Sequence, residues 1–151
     1  MQRREEGFSL IELMVVLLII AVLLAIAIPV FMGWRENAMD TDTRQLLASA
    51  AKIESGFAAN ATGFTTDAAA LALLEPSIDF SGGADDSVHV VVADAVSPGD
   101  NGQVLLYSRS DSGAWHGLRL VQAGPAAGRH TCIGNAEANV DDMADCSGVS
   151  W

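Results

Sequence analysis

The sequence predicts an α+β protein: a long N-terminal helix whose hydrophobic half protrudes and whose amphipathic half packs on an antiparallel β-sheet head. Three observations carry this. Residues 13–32 are twenty consecutive residues without a charge, enough to span a bilayer core as a helix at about 1.5 Å per residue. Beyond them, Met39, Thr43, Leu46, Ala50, Ile53 and Phe57 recur at alternating spacings of four and three, which puts them on one helical face. After residue 87, short β-branched and apolar runs alternate with clusters of turn residues, as in a sheet of short strands.

The N-terminal block comes first. A secretory signal peptide has a basic start, an apolar stretch of about 7–15 residues and a small-residue cleavage site. This block is longer, and Ala25-Ile26-Ala27, which has the form of such a site, is followed by Ile28-Pro29-Val30-Phe31-Met32. A plain membrane anchor accounts for residues 13–32 but leaves Glu12 unexplained. An ionised carboxylate inside an apolar span costs on the order of 2.5–3.5 kcal/mol at mid-depth and less near an end, so such a residue calls for a partner.

Glu12 belongs to the run Gly7-Phe8-Ser9-Leu10-Ile11-Glu12, preceded by a polar leader containing Arg3 and Arg4. This run resembles the class III signal of the type IV pilin family, which also includes the pseudopilins of type II secretion. The family pattern is Gly before the cut, an aromatic or apolar residue after it and Glu at the fifth mature position; Gly7, Phe8 and Glu12 match it. Pro29 matches a family proline late in the apolar segment, where loss of a helical donor implies a kink or local melting. A glycine found mid-span in many members is absent here, with Ala21 in that region.

The resemblance implies a pilin fold and a sequence of events. A membrane-embedded prepilin peptidase cleaves between Gly7 and Phe8, removing leader residues 1–7, and the new Phe8 amine is N-methylated. Residues 8–33 then form the transmembrane and assembly helix, 34–60 its amphipathic continuation, and 61–151 the head. Glu12 of one subunit meets the Phe8 amine of a neighbour and sets assembly register. The implied partners are other copies of the chain in a helical polymer, the peptidase, the pilus assembly machinery and the inner membrane. The implied location is the inner membrane, then a surface filament. Positive charge does not fix the topology, because Arg3 and Arg4 are balanced by Arg35 and Arg44.

Along the rest of the chain, Gly33 and Gly56 weaken the helix without ending it, and Arg35, Glu36, Asp40, Asp42, Arg44, Lys52 and Glu54 fall mostly off the apolar stripe. Thr66-Asp67 caps a short helix over residues 68–74 that Glu75-Pro76 stops. Strands are expected at 88–95, 103–109 and 114–121, joined as an antiparallel meander through residues 97–102 and 110–113. The tail from residue 124 reads as irregular. Cys132 and Cys146 flank thirteen residues and fit no zinc pattern. A disulfide formed in an oxidising compartment is the main reading, contributing ~3 kcal/mol in the chain-entropy model; two unrelated thiols are the alternative. Family members commonly share such a disulfide-bounded C-terminal region.

From residue 34 onward the chain has six Lys or Arg against sixteen Asp or Glu, an acidic surface that works against contact with nucleic acid or anionic lipid; no direct nucleic-acid binding is expected. His89, His116 and His130, two placed in strands and one in a loop, lack zinc spacing. Asp141, Asp142 and Asp145 lack the EF-hand pattern and read as a solvated turn. No phosphate loop or nucleophile elbow occurs, so neither an enzyme, a cofactor nor a metal is expected. Asn60-Ala61-Thr62 forms a sequon. Trp34 has the place of an interfacial anchor, Trp115 that of a core or sheet-surface residue, and Trp151 carries no signal. A structural pilin is favoured over a pseudopilin or minor pilin of a secretion or DNA-uptake machine, because the tail lacks an aspartate- and glycine-rich calcium loop and carries a cysteine pair.

Overall fold

The computed structural model describes residues 7–60, 63–83, 87–93, 102–123, 127–142 and 144–146. The leader residues 1–6, Ala61 and Thr62 of the sequon, Asp85-Asp86, the turn residues 97–101 and Trp151 lie outside the described residues. The chain forms two compact units, Met1–Asn37 and Ala38–Trp151. Helix α1 (Leu10–Asn60) belongs to both.

In the first unit, α1 opens at Ser9, whose carbonyl accepts the N–H groups of Glu12 (3.1 Å) and Leu13 (3.3 Å). The Glu12 carboxylate reaches back to the Ser9 N–H at 3.1 Å, satisfying a donor that a helix start otherwise leaves without an intrahelical partner. Leu, Ile, Val and Ala then dominate, and their side chains point outward around the whole helix, with none of the apolar window buried. Among the described residues, α1 is the helix long and apolar enough to cross a membrane by length and composition. The helix runs unbroken through Pro29 and Gly33, so local melting at Pro29 is not observed.

In the second unit, the last part of α1 buries Thr43, Leu47, Ala50, Ala51, Glu54 and Ala58, with Leu46, Ile53 and Phe57 only partly buried. The buried line is thus displaced from the stripe expected from sequence. Small side chains at 43, 50, 51 and 58 let the packing partner approach closest beside the fully buried Leu47, and Leu46, Ile53 and Phe57 flank that line. Glu54, expected off the stripe, is fully buried. Helix α2 (Ala68–Leu74) is capped by Asp67, whose Oδ1 accepts the N–H groups of Ala69 (3.0 Å) and Ala70 (3.2 Å), and it ends at Glu75 as expected.

Among the described residues four strands follow: β1 (His89–Ala93), β2 (Gln103–Arg109), β3 (Trp115–Val121) and β4 (Gly128–Gly134). They pair in sequence order and antiparallel throughout. The first three match the expected meander, with residues 94 and 95 of the first expected strand outside the described residues. The fourth corrects the reading of the tail as irregular, and it places His130 in a strand instead of a loop. The β2–β3 turn closes through Ser110 N–H to the Ala114 carbonyl at 2.8 Å, with Gly113 at φ 92°, a conformation open to glycine at little cost.

Strand alternation gives the sheet two apolar faces. Val88 packs at the approach to β1, and Val104, Leu106 and Leu118 project to one face, in one core with Leu47, Ala50, Ala51 and Ala58 of α1 and Leu71 of α2. Leu105, Tyr107 and Cys132 project to the other, where Val140 and Cys146 of the tail cover them. A sheet buried on both faces explains why β2 reads as a near-continuous buried run.

Candidate functional site

The residues singled out from sequence fall in two places. In the first unit, Gly7 and Phe8 precede α1 in a segment without regular structure. Gly7 is exposed, a Cβ built on it meets nothing within 4 Å, and Phe8 is 86% exposed. The Gly7–Phe8 bond therefore lies outside the helix, in exposed backbone. Glu12 lies in the first turn of α1 and is exposed. Its carboxylate accepts from Ser9 of the same chain, a capping role that sequence reading passed over although Ser9-Leu10-Ile11-Glu12 has the S-x-x-E form. Leu10, Ile11 and every large apolar residue from Leu13 to Trp34 are exposed, a contiguous patch far larger than a soluble monomer carries.

The second place is the head. Cys132 on β4 and Cys146 in the tail sit at disulfide distance, with their Cα atoms 4.7 Å apart. Their seat is Gly117 on β3, the register partner of Cys132. A Cβ at Gly117 would overlap the Cys132 sulfur and come within 2.8 Å of the Cys146 sulfur. The acidic tail folds on itself: the Asp142 N–H donates to Asp145 Oδ2 (3.3 Å), and the Ala144 N–H donates to Asp142 Oδ1 (3.0 Å). Among the described residues, no three His, Cys, Asp or Glu side chains are grouped to hold a metal ion.

Among the described residues a serine–histidine–aspartate grouping is present. Ser112 Oγ donates to Asp40 Oδ1 at 2.5 Å, and the fully buried His116 places Nε2 3.5 Å from the same oxygen. The order is wrong for nucleophilic catalysis, because the hydroxyl addresses the carboxylate and not the imidazole. Burial works to raise the Asp40 pKa, but hydrogen bonds from Ser112, Ser110 and His116 outweigh it and hold the carboxyl below its ordinary range. Burial also lowers the pKa of His116, against the pull of Asp40. The grouping ties the β2–β3 turn to α1.

Comparison with known proteins adds two findings. Residues 2–28 match the family model described as the prokaryotic N-terminal methylation motif. Over 69 residues the chain is 38% identical to the type IV wide pilus major component PilA4 of Thermus thermophilus. That match takes in 46% of this chain and 53% of the relative, so it spans about half of the relative's length. No solved structure matches the chain.

Proposed function

We propose, from the premise that the chain is a type IV pilin-like protein, that it is the precursor of a filament subunit stored in the inner membrane. On this reading, prepilin peptidase cleaves after Gly7, the Phe8 amine is methylated, and the processed chain polymerises through α1 into a surface fibre. The single observation that carries the reading is the exposed Gly7-Phe8 peptide set directly ahead of an exposed apolar helix that has Glu12 in its first turn. The relative's description as a major pilus component favours a structural pilin over a pseudopilin or minor pilin.

The chemistry of each step follows from the residues. Gly7 has no side chain to obstruct an extended backbone. Cleavage creates a cationic amine at Phe8, four residues ahead of Glu12, and methylation leaves its charge in place. When apolar helices pack side by side, an isolated carboxylate or ammonium is costly and the pair is not. Glu12 thus favours the one stagger that sets it against a neighbour's Phe8 amine. Pro29 lacks the N–H of a normal helical residue, which makes it the expected place for α1 to bend when helices pack, although α1 runs through it unbroken in the single chain. The Cys132–Cys146 disulfide closes the tail over the head in an oxidising compartment.

Shearing fibres from cells and measuring the intact mass of their subunit tests this reading. The expected subunit begins at methylated Phe8 and carries one disulfide. Long fibres built of this chain are the expected result; processed chain that never appears in fibres would assign it to a pseudopilin or minor component instead.

A further inference from the structure

Glu54 is a carboxyl with no solvent exposure inside the packed face of α1, between Ala50–Ala51 and Ala58. Its Oε2 accepts the Thr65 N–H at 3.2 Å. Its Oε1 is buried and has no hydrogen-bond partner among the described residues. Thr65 belongs to the connection between α1 and α2, and its neighbour Phe64 is buried in the main core close to Gly102 at the start of β2. Among the described residues, the connection is therefore tied to the helix through this polar contact, made by a group that is neutral or charged according to its proton.

The surroundings offer the charged form no compensation. On α1, the neighbouring Lys52 is exposed. In the connection, Asp67 is occupied in capping α2. From the sheet, the side chains sharing this core are Val104, Leu106 and Leu118. Among the described residues no cation acts on the carboxyl, and the Thr65 N–H is the group that favours its ionised form. A protonated carboxyl is tolerable in such a place, whereas a carboxylate with one hydrogen bond and no counter-charge is not.

We propose that Glu54 is a proton-operated latch: protonated, it stays in the core and holds residues 63–65 against α1; ionised, it leaves the core and frees that connection while the sheet stays folded. Burial pushes its pKa up to about 7, with the Thr65 N–H pulling the other way, so the latch works close to neutrality. The surface formed by the α1–α2 connection then depends on ambient pH, whether or not the chain is in a polymer.

The test uses the full chain, isotope-labelled, in detergent micelles. Two readouts are followed from pH 5.5 to 8.5: the Glu54 side-chain carboxyl shift, and amide exchange at Thr65, Leu106 and Leu118 corrected for intrinsic rates. The carboxyl is expected to titrate near 7. Thr65 protection is expected to fall on the order of thirtyfold across that range, with Leu106 and Leu118 unchanged. Glu54→Gln should make Thr65 protection independent of pH. A carboxyl that titrates below 5.5, flat Thr65 protection, or parallel loss at Leu106 and Leu118 would each overturn the latch. Should Glu54→Gln fail to fold, the two wild-type readouts decide alone.

Discussion

Gly117 shows how much a single missing side chain does in this head. Its bare Cα is the space into which both cysteine sulfurs fit, and the second apolar face of the sheet closes over that pair. Gly117→Ala is expected to destabilise the head by about 1–3 kcal/mol, the usual cost of overpacking, measured by denaturant unfolding of the full chain in detergent. Gly56→Ala is the control, because a Cβ there meets open space; it should be neutral or stabilise α1 by up to ~1 kcal/mol. Glu54 gives a pH-dependent counterpart. Its folded pKa of about 7 lies above the ordinary 4.5, so the folded state holds the proton more tightly. Its contribution is fully present below about 4.5 and is lost as pH rises through about 7, a change of roughly 3 kcal/mol. The difference in unfolding free energy between wild type and Glu54→Gln should follow that curve, and equal slopes for the two would refute it. Neither role was legible in sequence. Glu54 counts as polar in any periodicity, and the space Gly117 provides exists only once β3, β4 and the tail have met.

At the scale of elements, legibility followed the range of the interactions. Helix α2 was read to the residue because its start and stop are local: Asp67 caps two N–H groups within three residues, and Pro76 follows its end. Asp67→Ala is expected to cost about 1 kcal/mol and to accelerate amide exchange at Ala69 and Ala70 before the sheet amides respond. Unchanged exchange at those two positions would show that α2 is held by Leu71 in the core and not by its cap. Strand β4 was missed for the opposite reason. Gly128–Gly134 has no clear apolar alternation, and its strand character comes from full-length pairing with β3, from Trp115↔Gly134 to Val121↔Gly128. The amphipathic part of α1 lies between these cases. Its period was legible, but which line along it goes deepest depended on a sheet some fifty residues away in sequence, and Leu47 with three alanines took that line while Leu46, Ile53 and Phe57 stayed partly exposed.

For the whole molecule, the N-terminal motif was legible because its residues are neighbours in the chain and its chemistry is local, and that same chemistry orders the proposed events in time. In the single chain Glu12 has the Ser9 N–H as its contact, a neutral donor that does not offset a carboxylate moved among apolar helices. The cationic partner proposed for it, the amine of Phe8, does not exist until the bond after Gly7 is cut. Assembly should therefore depend on processing through Glu12, while processing should not depend on Glu12, because the Gly7–Phe8 bond lies in the exposed, non-helical segment ahead of α1. Glu12→Val is expected to leave leader removal intact, since valine keeps the span apolar, and to abolish sheared fibres, since nothing then selects one stagger of the packed helices. Glu12→Ala should behave alike, which separates loss of the charge from the shape of the replacement. Intact mass of the membrane-held chain reports the first expectation and fibre yield the second. Normal fibres from Glu12→Val cells would remove Glu12 from assembly, and an uncut leader in that variant would instead move Glu12 into recognition by the peptidase.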